Sequence, residues 1–277
     1  MRKRKSKALR LVAMVAVGMV FFVPLLFPLY WMVVASLQNL TTIFANAPAL
    51  VPTHVIGSNY SLAFNSIVGN IGVSLVISLS VVVLSWLIGV PAAHALARLG
   101  GKTSAIVIMI MLVTQMVPGI SLSIAFYTIF HQWGLLSSYL GLILADASAQ
   151  VPFVVIVVRA FMVSLPRELY DAAAVDGAGE VRTFMTVSLP ISVPAVITVG
   201  LFAFLGAWND FVNAFTLNNG GGPQPLTLGL YKFVTQYTTN DGGIFAAATL
   251  AAIPTTLLLF AGQRWIRGGL RAGALKG

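Results

Sequence analysis

The sequence predicts an all-α integral membrane protein, a bundle of six transmembrane helices. Hydrophobic residues make up 58% of its 277 residues and charged residues only 8%, whereas a soluble domain carries about 25% charged residues. The apolar runs are long enough to cross a bilayer, which takes about 20 residues of helix. With the N-terminus in the cytoplasm, 15 of the 16 Lys and Arg residues lie on the cytoplasmic side, which satisfies the positive-inside rule.

Windowed hydropathy predicts six spans in a single transmembrane domain, 1–277. They lie near 11–36, 68–94, 104–131, 138–163, 193–217 and 244–265. The first apolar run is longer than the roughly 7–15 residues of a signal-peptide core, so we expect it to remain as the first helix. Both termini are then cytoplasmic, with 266–277 as a C-terminal tail.

Several other functions are excluded by composition and spacing. The net charge of +9 comes from residues at helix ends and in short loops, where topology rather than nucleic-acid binding explains them. The absence of cysteine excludes disulfides, and His54, His94 and His131 are too far apart in sequence to indicate a metal site. The segment 101–103 resembles part of a P-loop, but Leu96 stands where the first glycine is required.

The longest cytoplasmic connection, 164–192, is here called the acidic loop. It holds four of the seven acidic residues, Glu168, Asp171, Asp176 and Glu180. One interpretation is a docking surface for a soluble partner, with ion pairs setting its register. The other is an amphipathic linker on the membrane, but such linkers are usually rich in Lys and Arg. The acid content favours docking.

The first half of the acidic loop is predicted to be a helix. Pro166 suits the first turn, because its missing N–H would be unpaired there, and Glu168 and Asp171 follow where the helix dipole favours negative charge. Three- and four-residue spacing places small apolar residues and an acid on one face. This face consists of Leu169, Ala172, Ala173 and Asp176.

A second short helix is predicted in the same loop. Gly177 and Gly179 should end the first helix. The second helix would run from about 180 to 188 and stop before Pro190. Together the two helices would form a compact knob that fits a groove in another protein.

The acidic loop resembles the coupling-loop motif of ABC importer permeases. That pattern is Glu-Ala-Ala, three residues, Gly, nine residues, Ile, one residue, Leu-Pro. Here it reads Asp171-Ala172-Ala173, Gly177, Val187, Leu189-Pro190, with every spacing kept. Asp171 replaces Glu and Val187 replaces Ile, so the acid has the expected charge but a shorter reach.

Two further stretches resemble the carbohydrate branch of that family. Residues 208–211 are similar to its Trp-Asn-acid-Phe stretch, which falls in the predicted fifth span. Residues 268–277 look like the Gly-Leu-x-x-Gly-Ala-x-Lys-Gly tail of the maltose-permease G-type subunit. The six-span layout and the chain length also fit that subunit. The resemblance therefore covers nearly the whole chain and implies the fold of a type I importer permease.

The resemblance implies a multi-pass subunit of the bacterial cytoplasmic (inner) membrane that moves a sugar or sugar derivative by alternating access. It would form a heterodimer with a sister permease and work with two cytoplasmic ATPase subunits and an external binding protein. The partner subunits would use ATP and Mg, so this chain would be no enzyme and would bind no cofactor or metal. The residues expected to couple to the ATPase are Glu168, Asp171, Ala172, Ala173, Asp176, Gly177, Leu189 and Pro190.

Polar residues in the spans are candidates for the solute pathway, because carboxylates are costly in a bilayer and tend to face a cavity or a partner. Trp208, Asn209 and Asp210 offer the chemistry that holds hydroxyl-rich solutes, but a structural cluster is an equal alternative. Asp146 is a further candidate. Gln115 could line the pathway or satisfy the kinked backbone near Pro118, and the backbone role is favoured.

One segment on each side of the membrane has two interpretations. The outer segment 220–223, Gly-Gly-Gly-Pro, is flexible by composition and would touch the binding protein or act as a connector. The basic tail 266–277 would contact the ATPase or bind anionic lipid.

Three other functions were weighed against a sugar importer. A secondary transporter usually has more spans, repeats and intramembrane charges that move ions. A scaffold subunit without a solute pathway would not need the coupling-loop spacing. Import of glycerol-3-phosphate or a glycerophosphodiester is the closest alternative, although no Lys or Arg is expected in the middle of a span to meet a phosphate.

Overall fold

The computed structural model describes residues 2–45, 49–52, 54–218, 220–236 and 241–274, with side chains left out at 2–13, 16, 40 and 264–274. Every regular element in these ranges is a helix, and one π-helical turn, Phe184–Ser188, joins α8 to α9. The α-helices are α1 (Arg2–Ser36), α2 (Leu40–Ile43), α3 (Ser58–Leu99), α4 (Gly101–Thr114), α5 (Gly119–Trp133), α6 (Tyr139–Val163), α7 (Arg167–Val175), α8 (Glu180–Thr183), α9 (Leu189–Trp208), α10 (Val212–Leu217), α11 (Leu226–Gln236) and α12 (Asp241–Ala274). The contacts predicted for the tail 266–277 fall on side chains outside this description.

Five helical segments in the described ranges are long and apolar enough to cross a membrane. They are Val17–Ser36, Ser58–Leu99, Tyr139–Val163, Glu180–Trp208 and Asp241–Gln263, with mean hydropathies from 2.0 to 2.5. Helices α4 and α5, which are bent by 92° relative to each other, give a sixth if the pair counts as one span. The predicted all-α membrane fold is confirmed, with five to six segments able to cross the membrane.

The predicted span 104–131 is present as two helices, and the kink expected near Pro118 is a full break. Helix α4 ends at Thr114 and α5 begins at Gly119, and between them Pro118 has an extended backbone (φ −57°, ψ 130°). A proline cannot donate a helical hydrogen bond, and it also disfavours helix at the residue before it. The break therefore occurs where Pro118 stands.

The fifth predicted span, 193–217, is wrong at both ends. Helix continues from Glu180 through the π-helical turn into α9, so the second loop helix does not stop before Pro190. Pro190 lies in the first turn of α9, where a missing N–H costs little, directly after the wider π turn. Beyond Trp208, residues 209–211 leave the helix before α10. The predicted outer loop also contains a helix, α11.

The chain divides into two compact units. The first comprises Met1–Ile67 with Leu230–Ala252. Within it the Asn59 amide donates to the Ser36 and Gln38 carbonyls at 2.9 and 3.1 Å. These bonds fix the start of α3 against the end of α1.

The second unit comprises Val68–Gly229 with Ile253–Gly277, and its core lies between α3, α6 and α9. Small residues let these helices approach closely, as is common in membranes. A Cβ at Gly200 would overlap the ring of Trp86, whose indole N–H donates to the Val196 carbonyl at 3.1 Å. The core is lined by aliphatic side chains of α6 such as Val154 and Val158, both fully buried.

Candidate functional site

The predicted first helix of the acidic loop is present as α7. Pro166 directly precedes it, with φ −57° and ψ 135°, and Glu168 lies in its first turn. Its end is set by Gly177, whose φ of +72° favours glycine. The Gly177 and Ala178 N–H groups donate to the Ala174 and Ala173 carbonyls at 3.0 and 2.9 Å, the hydrogen-bond pair of a Schellman motif. Gly177 is therefore needed for the backbone turn that ends α7.

Helix α7 has a buried face and an exposed face. Tyr170 and Ala173 point into the protein and are only 8% and 9% exposed. Ala172 is exposed. Ala173 is nevertheless grouped with Leu169, Ala172 and Asp176 as predicted, because all four line one groove. A contact of Ala173 with the ATPase stays a prediction.

The exposed face of α7 carries three carboxylates, those of Glu168, Asp171 and Asp176. Among the described residues none of the three has a hydrogen-bond or ion-pair partner within the chain. Val175 lies beside them and is 88% exposed. This face therefore combines unpaired negative charge with a small apolar patch.

A groove of about 270 Å³ runs between α7 and the following helical segment. Its apolar lining includes Leu169, Ala173 and Val187, with Asp176 and Arg182 supplying opposite charges. The acidic loop therefore presents a groove between α7 and the following helical segment, in addition to the exposed face of α7. Asp171 lies apart from this groove and lines a different cavity of about 520 Å³ with Arg98 and Arg167.

Glu180 differs from the other acids of the loop, because it is paired within the chain. Arg98, near the end of α3, donates to both Glu180 carboxylate oxygens at 3.2 and 3.4 Å. The same guanidinium lies 4.8 Å from the ring centroid of Tyr170, in cation–π range. One side chain of α3 therefore contacts both helices of the acidic loop.

His94 supports this arrangement one turn earlier on α3. Its Nε2 atom is 3.7 Å from a Glu180 oxygen, and its ring centroid is 5.1 Å from that of Phe184. The sequence analysis assigns neither residue to a site, because His94 is treated as too far from the other histidines for a metal site and Arg98 as a topological charge. The available signal was their four-residue spacing, which places both on one helix face.

The motif's Leu189-Pro190 end lies at the start of α9. Leu189 packs against the core of the second unit, whereas Pro190 is exposed. Just before them the Ser188 hydroxyl lies 3.4 Å from that of Tyr170. Leu189 therefore anchors the loop to the core.

The structure places Asp146 in a buried network. It is 6% exposed and accepts a hydrogen bond of 2.8 Å from the Asn213 amide. The Asn213 oxygen accepts in turn from Ser123 at 2.6 Å. This chain of bonds joins α5, α6 and α10, and Asn213 had not been singled out in the sequence.

The residues Trp208, Asn209 and Asp210 do not converge on one surface. Trp208 is buried, only 2% exposed, and stacks on Phe204. Asn209 is exposed and donates to the Leu205 carbonyl at 2.9 Å. Asp210 accepts from the Ala214 N–H at 3.1 Å, which satisfies a free donor in the first turn of α10.

Gln115 occupies the break between α4 and α5 and is exposed. Its amide donates to the Ala149 carbonyl at 3.2 Å. This acceptor lies in α6 and not in the kinked backbone near Pro118, so both predicted roles of Gln115 stay predictions.

Comparison with known proteins identifies the family. The family model described as binding-protein-dependent transport system inner membrane component matches residues 85–272. The chain belongs to this family. It is 32% identical to the diacetylchitobiose uptake system permease protein DasC of Streptomyces coelicolor, over 94% of this chain and 95% of that protein. This ABC importer permease therefore matches a relative along nearly its whole length.

Two other relatives are similar to this chain in sequence, and two solved structures share its fold. The chain is 30% identical to the trehalose transport system permease protein SugB of Mycobacterium tuberculosis, over 91% of this chain and 93% of SugB. It is 28% identical to the trehalose/maltose permease MalG of Thermococcus litoralis, over 99% of both. A bacterial ABC transporter for import of the acidic polysaccharide alginate has the same fold, with a TM-score of 0.78 at 21% identity over 94% of this chain and 97% of that one. For the MetNI methionine transporter the TM-score is 0.57 at 17% identity, over 78% and 99%.

Proposed function

We propose that this permease carries a sugar or sugar derivative across the bacterial cytoplasmic membrane, with both termini in the cytoplasm. ATP hydrolysis belongs to two partner ATPase subunits, a sister permease completes the pathway and an external binding protein delivers the solute. The relatives named for diacetylchitobiose, trehalose and maltose support a carbohydrate cargo. The distribution of Lys and Arg supports the orientation.

The acidic loop is the ATPase-docking element of this proposal. The single observation that carries it is the exposed face of α7, where Glu168, Asp171 and Asp176 have no partner among the described residues. Charges that face water without a partner are available to set the register of a complementary surface. Ala172 permits close approach, while Ala173, Gly177, Leu189 and Pro190 hold the shape of the loop.

The solute pathway is proposed to pass the two helix breaks. Non-helical backbone at membrane depth is tolerated where it is buried in protein or lines a water-filled cavity. Gln115 and Asn209, both exposed at these breaks, would contact solute. Asp146, Trp208 and Asp210 would support them from inside.

A neutral cargo is favoured over a phosphate-bearing one. The Lys and Arg side chains that the structure describes within the spans are Arg98, Lys102, Arg159 and Arg182, and each lies within four residues of a span end. None is therefore placed at mid-span to meet a phosphate. A glycerol-3-phosphate or glycerophosphodiester carrier would need a cation from the sister permease.

The test is the ATPase activity of the whole complex in nanodiscs with its binding protein, using diacetylchitobiose, trehalose, maltose and glycerophosphodiesters as probes. We expect one sugar to stimulate hydrolysis, and Asp171→Lys to abolish that stimulation while the permease still inserts. Lys102→Glu is the matched control, because Lys102 is an exposed charge outside the acidic loop. Full stimulation in Asp171→Lys would contradict the docking role, and stimulation by glycerophosphodiesters alone would contradict the sugar.

A further inference from the structure

Arg98 is the one side chain of α3 described as bonding to α7 and α8 together. It places its guanidinium over the Tyr170 ring of α7 and forms a two-pronged ion pair with Glu180 of α8. The planar guanidinium suits both contacts at once, which a lysine ammonium would not.

The connection between the two loop helices is short and consists of the four residues 176–179. Backbone hydrogen bonds of Gly177 and Ala178 order the turn that ends α7. Arg98 adds one side-chain contact to each helix, to Tyr170 of α7 and to Glu180 of α8. These contacts tie both helices of the turn to α3.

We propose that Arg98 is a positioning residue that locks the acidic loop to the end of α3, so that movement of the docked loop is transmitted to that helix. The inference rests on the proposed docking function. It assigns Glu180 to the contacts that Arg98 makes with Glu180 and Tyr170, which we call the lock, rather than to the ATPase interface. The His94 Nε2 atom, on the neighbouring turn of α3, lies 3.7 Å from a Glu180 oxygen.

Helix α3 is suited to transmit such a movement. Its part in the second unit, 68–99, has no break, and at about 1.5 Å per residue it is about 48 Å long. This exceeds the hydrocarbon thickness of about 30 Å. A displacement at Arg98 therefore acts on one end of a helix that reaches across the membrane.

The lock is not a large source of stability, which makes it testable. The side chains of Arg98 and Glu180 are 39% and 67% exposed, and exposed ion pairs contribute little to folding. Exchange of the two charges should therefore leave the fold intact. The variants are Arg98→Glu, Glu180→Arg and their double exchange, with Lys102→Glu as the control.

The first readout is stimulation of ATPase activity by the binding protein with diacetylchitobiose or trehalose. Each single variant should reduce stimulation by about tenfold, a typical size for coupling between sites, with unchanged ATPase stoichiometry and thermal unfolding. The double exchange re-forms the ion pair but not the contact of a cation with Tyr170, so it should restore part of the stimulation. Native stimulation in the single variants, or no recovery in the double exchange, would overturn the inference.

The second readout does not depend on the cargo. The chain has no cysteine, so spin labels can be placed at Leu87 of α3 and Val175 of α7, both well exposed. The distance distribution should stay narrow before and after vanadate trapping, broaden in each single variant and narrow again in the double exchange. An unchanged distribution in Arg98→Glu would refute the lock. Failure of the ATPase to co-purify with the native chain would instead refute the docking function.

Discussion

The carboxylates of α7 and the carboxylate of Asp146 show opposite uses of the same chemical group. Glu168, Asp171 and Asp176 face outward without a partner among the described residues, whereas Asp146 is buried and receives a hydrogen bond from Asn213. A buried polar group must be satisfied inside the protein, while an exposed one is free for another molecule. Asp146 therefore joins α6 to α10 within the chain, whereas the α7 acids are available for the docking role that we propose.

The largest effect on stability is expected at the buried carboxylate. Asp146→Leu leaves the half-buried Asn213 amide without its acceptor, which should cost about 1–3 kcal/mol. Asp146→Asn keeps an oxygen at that position and should cost less. The measurement is the free energy of unfolding in micelles, and equal losses in the two variants would mean that the hydrogen bond is unimportant.

A smaller effect is expected where α7 ends. Gly177 has a φ of +72°, whereas Gly179 has a φ of −69°. An alanine in the left-handed region costs about 1–2 kcal/mol, so Gly177→Ala should distort the loop. ATPase binding should weaken by about tenfold for each 1.4 kcal/mol of binding free energy that this distortion removes. The matched control Gly179→Ala should bind normally. Similar affinities of ATPase subunits for the two variants in nanodiscs would exclude a role for this turn.

The smallest effect is expected from removing one exposed charge. Asp176→Asn should weaken ATPase binding by about 0.2–1 kcal/mol, the range of exposed ion pairs. The difference from the native chain should shrink as salt is added, because screening weakens exposed charges. A difference that persists at 1 M salt, where the screening length is about 3 Å, would indicate a packing role instead.

Local features were predictable from the sequence, and long-range contacts were not. The six apolar segments and both ends of α7 follow from hydropathy, Pro166 and Gly177, which act within a few residues. The bond between Asp146 and Asn213 joins positions 67 residues apart, and that between Arg98 and Glu180 joins positions 82 apart. Such pairs depend on how the helices pack, which periodicity in one segment does not specify.

The prediction errors have a related cause. Hydropathy averages over a window, so it does not detect where Pro118 interrupts one span or where helix persists past Pro190. A four-residue spacing also does not say which side of α7 meets the core. Burial of Tyr170 decides this.

The most direct measurement of the docking claim is maleimide labelling of Ala172→Cys in the otherwise cysteine-free chain. A membrane-impermeant reagent is applied from the cytoplasmic side, with and without the ATPase subunits, and Lys102→Cys is labelled in parallel. The account predicts rapid labelling of both positions in the free permease and protection of Ala172→Cys alone when the ATPase is bound. Equal labelling of Ala172→Cys with and without the ATPase would contradict it.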